Sequence, residues 1–206
     1  MIIRSLTQTR KNICQVCFDN GDAYRMHVET AMAAGLRPGC EITAEKLEQL
    51  LEESELCLAR EYALRILASH ASSEQKLKER LCERFDEDIA EAVAKQMSEV
   101  GAVNDAEYAF MLAADMLRLK SYGDSRVIRE LRLKGISCED AEEAVERAYD
   151  EFWEDIPDEA ERIRQLIEAK RISPEDEAAK RKLINALIRL GYDYNDIKTE
   201  LKLFED

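Results

Sequence analysis

The chain has 206 residues, which is enough to bury an apolar core in one or two domains. Its 44 acidic residues outnumber the 30 basic ones, and the net charge of −14 argues against a general nucleic-acid-binding protein, because such proteins carry surplus Lys and Arg. Helix-favouring residues are abundant, whereas Gly (7) and Pro (3) are scarce, so we expect a mainly helical protein.

No signal peptide or membrane span is predicted. The first residues lack a long apolar run, and no window reaches the roughly 18 apolar residues of a spanning helix. The six cysteines are scattered, which is not the pattern of a disulfide framework in a chain of this length. We therefore expect reduced thiols, a cytoplasmic location and no membrane partner.

Residues 1–42 predict a small antiparallel β unit, with strands at roughly 2–7, 12–18 and 23–28. The pair Asn20-Gly21 favours a hairpin because Asn-Gly accepts positive φ. So small a sheet is marginal alone, and we expect it to pack on the first helix.

Few residues in this sequence suggest catalysis or metal binding. Cys14 and Cys17 form a Cys-x-x-Cys pair, but on a strand they would point to opposite faces, and a structural zinc site needs four ligands. The two histidines, His27 and His70, match no catalytic arrangement. We expect no enzyme activity, no cofactor and no metal.

From Thr43 onward the pattern is helical, and short capping signals separate the helices. The predicted N-caps are Thr43, Ser72, Asp86, Asn104, Asp124 or Ser125, Ser137 and Ser173, and the predicted terminating glycines are Gly101, Gly135 and Gly191.

The helical region repeats three times. The stretches 77–93, 128–145 and 184–201 each contain a short helix with a central leucine, a tight turn and a second helix. Each stretch follows a longer apolar helix, so the predicted unit has three helices in the order long, short, medium.

Stacked units of this kind share a core, so the predicted fold is mainly α, an elongated curved array of three tandem three-helix repeats behind the small β unit. The predicted domains are 1–42, 43–104, 105–154 and 155–206.

One segment contradicts the acidic character of the chain. Residues 118–136 carry six basic and two acidic residues, a net charge of +4. On a helical wheel, Val127, Ile128 and Leu131 form the apolar face, and Arg126, Arg129 and Arg132 form an arc opposite, with Leu133 among them. The candidate partner-binding residues are Arg118, Lys120, Arg126, Arg129, Arg132, Leu133 and Lys134.

This arginine arc has three possible roles: a solvated face, a contact for an acidic protein surface, or a contact for a phosphate backbone. Leu133 within the arc favours a protein partner, because protein interfaces combine Arg with apolar residues. Trp153, further along the chain, either packs between repeats or anchors a partner.

The central repeat resembles the RecX family. The residues that carry the resemblance are Asn104, Asp105, Tyr108, Tyr122, Gly123, Ile128, Leu131, Gly135 and Ile136. The segments 63–67 and 73–77 are similar to the first repeat of that family, and the resemblance extends over about 59–203. Asp124 stands where the family usually has Pro.

The resemblance implies a non-enzymatic regulator of the RecA recombinase, and we expect the protein to be a monomer. Such proteins bind along the groove of the RecA filament on single-stranded DNA and restrain its growth or favour disassembly, which damps recombination, DNA repair and the SOS response. Direct nucleic-acid binding would be weak or indirect at a net charge of −14. The alternatives are a nucleic-acid-binding helical protein and a generic helical-repeat adaptor.

Overall fold

A computed structural model describes residues 1–170 and 177–205, and these contain three strands and ten helices. The predicted mainly helical fold with a small N-terminal sheet is therefore confirmed. The chain divides into two compact units, Met1–Val103 and Asn104–Asp206. None of the described helices combines the length and the apolar character needed to cross a membrane. The predicted cap Ser173 lies outside the described residues.

The sheet is antiparallel in the order β1-β2-β3, with strands β1 (Ile3–Arg10), β2 (Ile13–Phe18) and β3 (Ala23–His27). Burial alternates along β2, so Cys14 is buried whereas Cys17 lies on the other face, as predicted. The tight turn between β2 and β3 places Gly21 at φ 94°, a conformation that glycine adopts without strain.

The predicted third strand, at roughly 23–28, is confirmed to within one residue. The sequence did not predict the short helix α1 (Val28–Ala33), which follows directly after His27. His27 caps this helix, because its Nδ1 accepts a hydrogen bond from the backbone N–H of Glu29 at 3.2 Å. Histidine is not a favoured N-cap residue, so the sequence pattern carried no signal for α1.

The remaining helices form three groups. The first group comprises α2 (Ala44–Leu67), α3 (Glu74–Cys82) and α4 (Glu87–Glu99). The second comprises α5 (Asp105–Lys120), α6 (Asp124–Leu133) and α7 (Cys138–Glu151). The third comprises α8 (Glu159–Lys170), α9 (Glu177–Leu190) and α10 (Tyr194–Glu205).

Each group has its own apolar core, and the three predicted central leucines, Leu81, Leu131 and Leu187, are all buried. The sheet, α1 and the start of α2 form a fourth core. The long–short–medium order holds for the first two groups but was wrong for the third, whose helices have 12, 14 and 12 residues. The division into four domains stays a prediction.

Most predicted caps are confirmed. The side chains of Thr43, Asn104 and Ser137 accept backbone N–H bonds, and Gly135 and Gly191 have positive φ. Two of the predicted caps were wrong. The cap of α3 is Ser73 rather than Ser72. The cap of α6 is Gly123 rather than Asp124 or Ser125.

Candidate docking surface

The helix α6 carries most of the candidate residues, and its N-terminus contacts the turn between α9 and α10. The backbone N–H of Gly123 donates to the carbonyl of Leu190 at 2.9 Å. A Cβ on Gly123 would lie 2.6 Å from the carbonyl carbon of Gly191, closer than real side chains approach. Gly123 has an ordinary φ of −69°, so glycine is needed here for space and not for backbone conformation.

Gly191 is constrained from the other side. Its φ is 100°, and a Cβ there would lie 2.3 Å from the Cβ of Arg126. The hydroxyl of Ser125 donates to the Gly191 carbonyl, and the hydroxyl of Tyr192 donates to the carbonyl of Ser121 at 2.8 Å. We call this contact between the second and third groups the glycine joint.

A buried arginine completes the glycine joint. Arg162 of α8 is 3% exposed, and its Nη1 donates to the carbonyl of Tyr122 at 2.7 Å. Its Nη2 donates to Asp124 Oδ1 at 3.0 Å and to the hydroxyl of Tyr149. The Tyr149 hydroxyl in turn donates to the same Asp124 oxygen at 2.7 Å. Asp124 is therefore the counter-ion of Arg162.

The burial of this network widens the pH range over which its tyrosine hydroxyl groups stay protonated. Desolvation and the hydrogen bond to Asp124 raise the pKa of Tyr149 far above its usual range. Desolvation raises the pKa of Tyr192 to about 12, although the charge of Arg162 opposes that shift. Both tyrosines therefore remain neutral donors at physiological pH.

The carboxyl group of Glu159 shares this buried site. Its Oε1 accepts the backbone N–H of Asp124 at 3.2 Å, which fixes the start of α6 to the start of α8. Desolvation and the neighbouring Asp124 charge raise the pKa of Glu159.

Arg126 belongs to the glycine joint and not to the open surface. Its guanidinium carbon lies 3.7 Å from the centroid of the Tyr122 ring, and its Nη1 donates to the carbonyl of Arg189 at 2.8 Å. Its Nε lies 3.6 Å from Glu130 Oε1. A helical wheel of α6 alone contains no information about α9, so it grouped Arg126 with its exposed neighbours.

Three of the candidate residues remain together on the exposed face of α6. Arg129 and Arg132 are exposed, and Leu133 is 66% exposed. We call Arg129, Arg132 and Leu133 the docking surface. Lys134 is half-buried at the end of the same helix.

The two candidates on α5 have nearby partners of their own. Arg118 pairs with Asp155 at 2.7 Å and lies 4.5 Å from the centroid of the Phe152 ring. Lys120 is exposed, with its Nζ 5.6 Å from the centroid of the Tyr122 ring. Trp153 is 72% exposed, so of its two interpretations, packing between repeats was wrong.

A cavity of about 580 Å³ opens beside the docking surface. Arg129 lines one side, and Ile188, Tyr192 and Tyr194 supply apolar and aromatic walls. Asp124, Glu159 and Asp193 add carboxylates. The arrangement can receive a mixed polar and apolar segment of a protein partner, because it offers both charge signs and aromatic faces.

The family-motif residues serve the scaffold. Leu131 and Ile136 are buried in the second core, where Tyr108, Tyr122 and Ile128 pack partly buried. Asn104 caps α5, whose first turn contains Asp105. Gly135, at φ 87°, ends α6, and Gly123 forms the glycine joint.

The sequence analysis did not identify Arg162 or its partners as part of a site. One feature of the sequence indicates it: Arg162 stands four residues before Leu166, on the inward-facing side of α8, where a charged residue requires a buried partner. The identity of that partner, 38 positions earlier in the chain, left no local pattern.

We expect Gly123→Ala to lower the free energy of unfolding by about 1–3 kcal/mol, because the new methyl group overlaps the Gly191 backbone. Urea denaturation measures this difference. If the backbones of Gly123 and Gly191 were not in close contact, Gly123→Ala would instead raise the free energy of unfolding by about 0.4–1 kcal/mol, the usual effect of Gly→Ala at an ordinary φ.

The raised pKa of Glu159 predicts a pH dependence. Protonated Glu159 stabilises the folded state of the protein. This contribution is fully present below the unfolded pKa of about 4.3 and is lost as pH rises through the folded pKa. Glu159→Gln keeps an acceptor for the Asp124 N–H, so we expect it to exceed the wild type in stability near neutral pH and to lose this advantage in acid. Urea midpoints across pH test this, with the exposed Glu168→Gln as control. Lower stability of Glu159→Gln at every pH would contradict the account.

Comparisons with known proteins agree with this architecture. A family model described as "RecX, second three-helix domain" matches residues 104–145, which contain the second group up to the middle of α7. The regulatory protein RecX of Clostridioides difficile is 30% identical over 205 residues, covering 97% of this chain and 94% of that protein. The regulatory protein RecX of Caldanaerobacter subterraneus is 28% identical, covering 98% and 99%.

Solved structures show the same fold. A crystal structure of regulatory protein RecX superposes with a TM-score of 0.72 at 20% identity over 98% of both chains. The crystal structure of RecX from Lactobacillus salivarius gives a TM-score of 0.61 over 73% of this chain and 97% of that one. With 30% identity to a relative along nearly its whole length, the chain belongs to the RecX family.

Proposed function

We propose that this protein is a non-enzymatic regulator of RecA that docks on the RecA filament on single-stranded DNA and restrains its growth or promotes its disassembly. The observation that carries the proposal is membership of a family whose matched relatives are named regulatory proteins. The family model falls on the second group, which also carries the docking surface. Recombination, DNA repair and the SOS response would then be modulated through RecA.

The charges favour a protein contact over naked DNA. The chain as a whole has a net charge of −14 and would be repelled by a bare phosphate backbone. The docking surface instead places Arg129 and Arg132 beside Leu133, an apolar side chain that is 66% exposed. An exposed leucine beside arginines matches the composition of protein interfaces, and an acidic patch on RecA would be the complementary partner.

The glycine joint supports this role by ordering α6 before the partner arrives. Gly123 and Asp124, at the start of α6, are bonded to the third group through Leu190 and Arg162. A helix already held in place loses less conformational freedom on binding, so a larger part of the contact energy appears as affinity. Lys120 and Trp153 are also exposed on this part of the chain.

We expect the wild-type protein to inhibit the ATPase activity of RecA on single-stranded DNA, and the double variant Arg129→Glu/Arg132→Glu to require about tenfold more protein, a loss of about 1.4 kcal/mol. The physical reason is that both reversed charges would face an acidic surface. Steady-state ATPase titrations measure the effect, and circular dichroism verifies the fold of the variant.

The matched control is Arg4→Glu/Arg10→Glu on β1, which changes the net charge equally at exposed positions. Equal loss in both variants would show a general charge effect and reject the docking surface. No inhibition by the wild type would reject the RecA proposal itself. Tight binding to single-stranded DNA alone, weakening with a log–log salt slope of about −0.7 per phosphate contact, would favour the nucleic-acid-binding alternative.

A further inference from the structure

We propose that His27, Glu29 and Cys57 form a binding site for a zinc-like divalent metal ion in the N-terminal unit. Each of the three side chains offers one ligand atom, and these atoms all lie within 4.8 Å of one another. The site joins the end of β3, the first turn of α1 and the middle of α2. It is independent of the docking surface, which lies on α6.

The imidazole of His27 is held in the orientation that a metal ligand needs. The residue is 2% exposed, and its Nε2 lies 3.2 Å from Glu61 Oε1. The amide of Asn12 donates to the same Glu61 oxygen. A carboxylate beside Nε2 favours the tautomer that has its proton there, which leaves the lone pair on Nδ1. A carboxylate on the second ring nitrogen is the usual support of a metal-bound histidine.

The lone pair of Nδ1 accepts the backbone N–H of Glu29, with 3.2 Å between the two nitrogens. Nδ1 therefore lies next to the residue whose carboxylate is the second ligand, and all three ligand atoms are within 4.8 Å of one another. Cys57 is held nearby by Thr30, whose hydroxyl lies 3.7 Å from its Sγ. An ion on Nδ1 replaces the long N-cap bond with stronger coordination.

A cavity of about 310 Å³ is lined by two of the three ligands, Glu29 and Cys57, but not by His27, and Glu53 and Arg60 also line it. Three protein ligands leave one tetrahedral position for water. A nitrogen, a thiolate sulfur and a carboxylate oxygen suit Zn²⁺, whereas Mg²⁺ and Ca²⁺ prefer oxygen ligands alone.

Titration of the reduced, full-length protein with Co²⁺, a spectroscopic substitute for Zn²⁺, tests the site. We expect one equivalent of Co²⁺ to give a thiolate-to-cobalt charge-transfer band, which added Zn²⁺ abolishes. Cys57→Ser should lose this band. Cys82→Ser/Cys138→Ser, which removes two exposed thiols away from the site, should keep it. A band that survives Cys57→Ser, or the absence of any band in the wild type, would overturn the proposal.

A second variant tests the role of Glu61 without removing a ligand. Glu61→Ala should retain the charge-transfer band but weaken Co²⁺ affinity by about 10–100-fold, the usual effect of losing a supporting carboxylate. Unchanged affinity would contradict the coordination through Nδ1. Far-ultraviolet circular dichroism of each variant verifies that the N-terminal unit remains folded.

Discussion

The contact on which the second unit depends is the buried ion pair between Arg162 and Asp124, set beside the backbone contact of Gly123 with Gly191. A buried guanidinium is expensive to remove from water unless its donors find partners. Here the carbonyl of Tyr122, the carboxylate of Asp124 and the hydroxyl of Tyr149 accept bonds from Nη1 and Nη2, whereas the buried Nε has no hydrogen-bond partner among the described residues. If the third group packed differently against α6, the charge of Arg162 would have no partner. The ion pair therefore favours a single arrangement of the third group against α6.

This constraint explains why one short helix serves three purposes. Val127 and Leu131 face the core of the second group, and Arg126 turns toward the carbonyl of Arg189. Only the remaining face, with Arg129, Arg132 and Leu133, is available to a partner. The residues of the family motif therefore stabilise the fold more than they contribute to the docking surface. Gly123, for example, leaves the space in which the backbones at positions 123 and 191 meet.

What the sequence predicted well is local, and what it missed is long-range. Caps at Asn104 and Ser137, the glycine ends at Gly135 and Gly191, and the buried leucines follow from residue types within one or two turns. Asp124 was interpreted as a cap because aspartate at a helix start is usually one. Its actual partner comes from α8, and helical periodicity gives no information about contacts between groups. The helix α1 was missed for the opposite reason, since a histidine acts there as an unusual local cap.

Arg162 and Asp124 act as one unit that joins the second and third groups. A double-mutant cycle with Arg162→Met, Asp124→Asn and the combined variant, followed by urea denaturation, measures their coupling directly. We expect a favourable coupling energy of about 0.5–3 kcal/mol, with the double variant much less destabilised than the sum of the single ones. Additive losses would instead mean that the two side chains stabilise the fold independently and do not act as one unit.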